Sequence, residues 1–160
     1  MTFKSRLLTA YQEELKKLHQ GELPKQAVLN SSRELHRENL LADMLKKHKG
    51  KVVYLDVWAT WCAPCIAAMR SSEKLRKKFK GQDVIFLYVC INSPNQDGWK
   101  RIIAAERLEG ENYFLDVKQS AILTKTLNIT TIPHYALIDK SGKIIDFKAP
   151  SPNKAIHFNR

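Results

Sequence analysis

Three cysteines among 160 residues are too few to staple a scaffold with disulfides. No uninterrupted apolar run approaches the roughly 18 residues that would read as a membrane-crossing helix. Six glycines and six prolines are too sparse for a collagen-like or low-complexity chain. Neither a second Cys-x-x-Cys nor a closely spaced histidine pair is present, so a zinc site would lack half its ligands and no metal is expected. The opening MTFKSRLLTAYQEELKK has neither the apolar run nor the small-residue cleavage site of a signal peptide, which leaves the compartment open. Acidic residues are scarce, 16 against 27 lysines and arginines, for a net charge of +11. That excess is spread evenly along the chain instead of forming a basic tail. Its densest cluster, Lys74, Arg76, Lys77, Lys78 and Lys80, reads as a solvated helix face, and no nucleic-acid partner is expected.

The remaining composition, 44% hydrophobic and 27% charged, is that of an ordinary globular protein large enough to bury a core. Leu7, Leu8, Tyr11, Leu15 and Leu18 recur at helical spacing and predict a first helix ended by Gly21 and Pro24. Ser31 and Glu34 have capping-box spacing and predict a second helix running through Leu35, Leu40, Leu41, Met44 and Leu45. After Gly50 the pattern changes. KVVYLDVW and DVIFLYVCI read as strands buried on both faces, with a helix carrying Ile66, Met69, Leu75 and Phe79 between them. Further on come an amphipathic helix with Trp99, Ile102, Ile103 and Leu108, a short strand near Tyr113–Leu115 and a helix over 121–127. A closing hairpin, HYALID and KIIDFKA, turns at Lys140–Gly142. The expected fold class is α/β: a mixed sheet with helices on its faces. Residues 1–49 are expected to form a helical extension and 50–160 the main domain.

The chemistry concentrates in Trp58-Ala59-Thr60-Trp61-Cys62-Ala63-Pro64-Cys65, between a buried strand and a helix. Two cysteines three positions apart on a first helical turn share one side and lie within bonding reach. Cys62 falls at the helix N-terminus, where unpaired N–H groups and the helix dipole favour a thiolate. Pro64 costs nothing in the first turn because its missing N–H had no intrahelical partner. Cys62 is therefore the candidate nucleophile at an accessible helix tip, and Cys65 the covered resolving thiol. Trp58 is expected to pack beneath the site, Trp61 to form an exposed apolar rim that docks partners, and Trp99 to lie in the core. Cys90 reads as a small buried hydrophobe. His134 either lies near the site, where its charge would favour the thiolate, or points to solvent. His19, His36, His48 and His157 read as surface residues.

With VVYLDVW, WCAPC, Ile132-Pro133 and ALIDKSGKII in place, residues 50–150 resemble the thioredoxin superfamily, and more closely its TlpA-like branch of envelope thiol–disulfide oxidoreductases. The resemblance implies a thioredoxin fold and a C-x-x-C exchange reaction with protein disulfides, run as a reductase. It implies no cofactor, an upstream protein electron donor, and a place in the bacterial periplasm or cell envelope. Pro133 matches the family's cis-proline facing the disulfide, with Ile132 offering backbone hydrogen bonds to an extended substrate segment. Ala63 and Pro64 complete the substrate-contacting surface. Asp56, six residues before Cys62, matches the buried aspartate that exchanges a proton with the resolving thiol; the plainer reading is an aspartate bonded to backbone at a sheet edge. Two positions depart from the branch's pattern: Ala68 stands where an acid is common and Arg70 where a proline often follows. Both departures throw proton handling back onto Asp56. The chain ends soon after the hairpin, so the fold's usual last helix is expected to be short or missing.

Two rival readings share this fold. A thiol peroxidase needs a threonine three residues before its reactive cysteine, and Ala59 holds that position. A non-enzymatic interaction module would tolerate loss of Cys62.

Overall fold

The computed structural model describes residues 2–19 and 21–157, with the side chains of 14–19 outside the description. Its centre is a six-stranded sheet in the order β1-β4-β3-β2-β5-β6. The strands are β1 (Ala27–Asn30), β2 (Val52–Trp58), β3 (Val84–Cys90), β4 (Gly110–Phe114), β5 (His134–Ile138) and β6 (Ile144–Asp146). β1 to β4 run parallel to one another, while β5 lies antiparallel to β2 and β6 antiparallel to β5. The helices are α1 (Phe3–His19), α2 (Leu40–Leu45), α3 (Ala63–Lys78), α4 (Gln96–Ala105), α5 (Val117–Thr126) and the one-turn α6 (Pro152–Ala155).

Strand alternation divides the core in two. Val53, Leu55 and Val57 face α2 and α5, packing with Met44, Leu45, Leu123 and Leu127. Tyr54 and Trp58 face α3 and α4, packing with Met69, Leu75, Trp99 and Ile103. β2 is thus covered on both sides, and its C-terminal end delivers the chain into the cysteine-bearing turn. Gly110 begins β4 with φ +145°, where a Cβ would lie 2.6 Å from the Phe86 carbonyl oxygen, so only glycine permits this approach of β4 to β3.

Residues 1–49 depart from the helical expectation. β1 pairs with β4 from Ala27↔Gly110 to Asn30↔Tyr113 and so belongs to the sheet. Ser31 does not begin a helix: its Oγ accepts from Arg33 N at 3.3 Å in a turn, and helical bonding starts only with a 3₁₀ turn at Arg37–Asn39 that leads into α2. His48 is buried, not superficial. The Lys47 ammonium donates to Glu111 Oε2 and Asn30 Oδ1, both at 2.7 Å, pinning the turn after α2 onto β1 and β4 and enclosing His48 beside Glu111. Burial pushes the His48 pKa down, against the opposing pull of Glu111.

α1 forms as the periodicity predicts, but Leu7, Leu8 and Tyr11 of its apolar stripe stay exposed, as does Phe3; the Leu15, Leu18 and His19 side chains lie outside the described residues. The closing hairpin is shorter than expected, its second strand spanning three residues with a register shift at Leu137/Ile138. Among the described residues the final helix, α6, spans a single turn. α6 packs on α3, and the Tyr54 hydroxyl donates to the Pro150 carbonyl at 2.7 Å just ahead of it.

Candidate active site

The turn from β2 into α3 is closed by Cys62 N donating to the Ala59 carbonyl at 3.0 Å. Cys62 is the N-cap of α3, its sulfur accepting from Cys65 N at 3.3 Å, with Pro64 in the first turn. Cys62 and Cys65 are joined as a disulfide with their Cα atoms 5.3 Å apart. The first turn of α3 carries no acidic residue, and Arg76, Lys77 and Lys78 occupy the last, so charge at both ends agrees with a helix whose N-terminus stabilises a thiolate. The cysteines differ less in exposure than the sequence suggests. Cys62 is 4% exposed and Cys65 1%, because the linked sulfurs sit against the cluster of Trp58, Ala59 and Met69. Ala63 and Pro64 lie exposed beside them.

Trp61 is 63% exposed, with its indole N–H donating to the Asn92 carbonyl at 2.8 Å. An apolar plane is thereby fixed next to Cys62 instead of being left to rotate. Trp58 is fully buried under the turn and Trp99 is core.

Asp56 is 2% exposed and lies in register between Tyr88 of β3 and Tyr135 of β5, on the sheet face that carries Tyr54 and Trp58. These four neighbours are neutral, and among the described residues Asp56 Oδ1 has no hydrogen-bond partner. The strand is central, so the plainer reading of an edge aspartate tied to backbone does not describe this residue. Burial alone raises its pKa from 3.8 to about 7.

The Ile132–Pro133 bond is cis, and Ile132 packs against the cluster that holds both cysteines. His134 does not point to solvent. It is buried opposite Val57, on the face away from Asp56, and burial pushes its pKa down, so it supplies no standing charge to the thiolate. Cys90 is buried and free as expected, with burial raising its thiol to about 11, yet its S–H donates to Ser93 Oγ at 3.2 Å. The loop holding Asn92 and Ser93 carried no sequence signal beyond its turn-forming composition. Clefts lined by Arg76, Phe79 and Gly110, and by Leu41, Ile122 and Phe147, include neither cysteine. Among the described residues no group of three or more His, Cys, Asp or Glu is placed to hold a metal.

Comparison with known proteins agrees with this geometry. Residues 25–157 match the Redoxin family. The thiol-disulfide oxidoreductase ResA of Bacillus thuringiensis subsp. konkukian is 30% identical over 102 residues, covering 63% of this chain and 56% of that protein. The chain thus spans about half the length of the curated relatives it matches. Among solved structures, a candidate thiol-disulfide oxidoreductase from Bacteroides vulgatus is 37% identical with a TM-score of 0.58, over 68% of this chain and 74% of that one. A thiol:disulfide interchange protein from Bacteroides sp., 23% identical with a TM-score of 0.63 over 70% and 72% of the two chains, shares the fold. The chain belongs to the Redoxin family, on the TlpA-like branch of the thioredoxin superfamily.

Proposed function

We propose that this protein is a thiol–disulfide oxidoreductase that reduces disulfides in protein substrates. The observation that carries the reading is the bonded Cys62–Cys65 pair at the N-terminus of α3 beside the exposed Trp61 ring; Ile132, which precedes the cis Pro133, packs on the same cluster. In the reduced protein the Cys62 thiolate attacks one sulfur of a substrate disulfide and expels the other as a thiolate. This forms a Cys62–substrate mixed disulfide. The Cys65 thiolate then attacks the Cys62 sulfur, releasing the second substrate thiol and closing the Cys62–Cys65 disulfide. The two electrons and two protons gained by the substrate come from the two cysteines. Asp56 takes the Cys65 proton as that thiol becomes nucleophilic and passes it on, directly or through water. An external dithiol protein restores the reduced pair.

Ile132, Ala63, Pro64 and Trp61 are read as the substrate rim: an open surface suited to a polypeptide more than an enclosed pocket for a small molecule. By the TlpA-like resemblance we place the protein in the bacterial cell envelope; among the described residues no helix is long and apolar enough to cross a membrane. The test is reduction of a disulfide-bonded protein such as insulin by the pre-reduced chain, followed as new thiols. Stoichiometric thiol release is expected, and none would overturn the proposal. Peroxide consumed at a comparable rate would favour the peroxidase reading instead. Trp61→Ala should raise KM for the protein disulfide roughly tenfold, as loss of an aromatic contact anchor does. It should change the rate with a small disulfide such as oxidised glutathione by less than about threefold, a contrast read by measuring both substrates.

A further inference from the structure

The loop joining β3 to α4 touches the active-site turn at two consecutive residues. Ser93 Oγ accepts from Thr60 N at 2.9 Å, and the Asn92 carbonyl accepts from the Trp61 indole at 2.8 Å. The loop is itself tightly held. Ile91 N donates to the Trp58 carbonyl at 2.8 Å, Asn92 N donates to Ser120 Oγ at 3.2 Å, and Asn92 adopts a left-handed backbone with φ +47°. Gly98, near the start of α4, approaches from above, where a Cβ would lie 3.9 Å from Thr60 Cγ2.

Ser93 sits at the centre of these contacts. A hydroxyl offers one proton and two lone pairs. Here the proton goes to the Ile91 carbonyl at 3.0 Å, and the lone pairs meet the Thr60 N–H and the Cys90 S–H. Its hydrogen-bonding capacity is fully used. Because the proton is committed to Ile91, the acceptor side stays turned toward the turn two residues ahead of Cys62. Cys90 stays protonated at neutral pH, since burial raises its thiol to about 11, and so keeps its role as donor.

We propose that Ser93 is a positioning residue for thiol–disulfide exchange: by holding the Thr60 amide it fixes the Ala59–Cys62 turn and keeps the Cys62 sulfur at the α3 N-terminus. It acts through Thr60 and touches neither sulfur. The inference rests on the exchange reading above and names a part of the machinery outside the Cys-x-x-Cys string. Without the hydroxyl, the Thr60 N–H keeps only the weaker Cys90 sulfur as an acceptor and the turn loosens. The Cys62 thiolate then sees less of the helix N–H groups, and attack geometry suffers; a misplacement of about 1 Å at a reacting atom costs up to roughly a hundredfold in rate.

The test compares wild type, Ser93→Ala and Ser93→Thr in the reduced state. Two quantities are read: the pH profile of Cys62 alkylation by iodoacetamide, and kcat/KM for a protein disulfide. Ser93→Ala should move the alkylation midpoint upward and lower kcat/KM about tenfold, while Ser93→Thr, which keeps the hydroxyl, should restore both. A Ser93→Ala profile that overlays wild type would overturn the proposal, as would equal impairment of both variants, which would mark a packing role. Alkylation needs no substrate, so it judges Ser93 even if the wild-type protein reduces no protein disulfide, a result that would sink the exchange reading instead.

Discussion

Cys65→Ser, incubated in the reduced state with a disulfide-bonded protein, should accumulate as a covalent adduct through Cys62, whereas Cys62→Ser should form no adduct. The asymmetry follows from the positions of the two sulfurs. Cys62 caps α3, where the backbone N–H groups and helix dipole favour the thiolate, and borders the exposed Trp61 surface. The two differ little in exposure, so placement makes the asymmetry: Cys65 lies one turn further into α3, bonded to the Cys62 sulfur but away from the capping position that favours the thiolate. Removing Cys65 leaves attack intact and deletes the step that releases the mixed disulfide. Both variants should lose turnover by on the order of a thousandfold or more, since residues that act as one unit are not additive. Mass spectrometry of the adduct after non-reducing digestion gives the attachment point. Adducts through Cys90 would contradict the assignment, because that thiol is buried and held protonated.

Asp56→Asn should act on stability and rate together. In the folded protein burial raises the Asp56 pKa to about 7, against 3.8 for a free aspartate. Below about pH 4 both states hold the proton and Asp56 adds no pH dependence. Between about pH 4 and 7 the folded state alone keeps it, so stability falls as pH rises through this window. Above pH 7 the buried charge exerts its whole penalty, on the order of 4 kcal/mol for a carboxyl raised from 3.8 to about 7. Asparagine removes that charge while leaving an amide to be satisfied, which costs about 1–3 kcal/mol when it is not. The variant should therefore lose most of the slope between pH 4 and 7 and gain about 1–3 kcal/mol above pH 8 by urea denaturation. Single-turnover release of the mixed disulfide should slow by roughly a hundredfold, within the usual range for loss of a proton-transfer group. An unchanged stability slope would contradict the buried, unpaired carboxyl; an unchanged release rate would contradict its proton role.

What the sequence made legible follows the length of its patterns. β2, β3 and α3 are long enough for period and composition to place them, and the Cys62-Ala63-Pro64-Cys65 string sits at the junction where strand period changes to helix period. β1 was missed because AVLN offers four residues, too few for alternation to register, and its pairing partner lies some eighty residues away in β4. The helix expected from Ser31 began late because its hydroxyl was drawn to Arg33 N; spacing alone cannot tell a turn from a cap. The burial of His48 and His134 was not legible for a related reason: what buries them comes from β4 and β2, and no local pattern announces it. The Asn92–Ser93 brace is likewise built across about thirty residues of sequence. Asp56 is the instructive contrast. A single carboxylate inside VVYLDVW was conspicuous, but the tyrosines on either side of it emerge only from strand register.

The most direct test is to equilibrate the protein across a series of reduced and oxidised glutathione buffers, quench with acid, alkylate free thiols and count labels by mass spectrometry. We expect a single reversible two-electron transition in which Cys62 and Cys65 gain or lose label together while Cys90 stays constant, centred nearer the roughly −270 mV of a reductant than the −120 mV of an oxidant. Cysteines that remain labelled under every buffer, or that pair with Cys90, would contradict a redox-cycling Cys62–Cys65 couple.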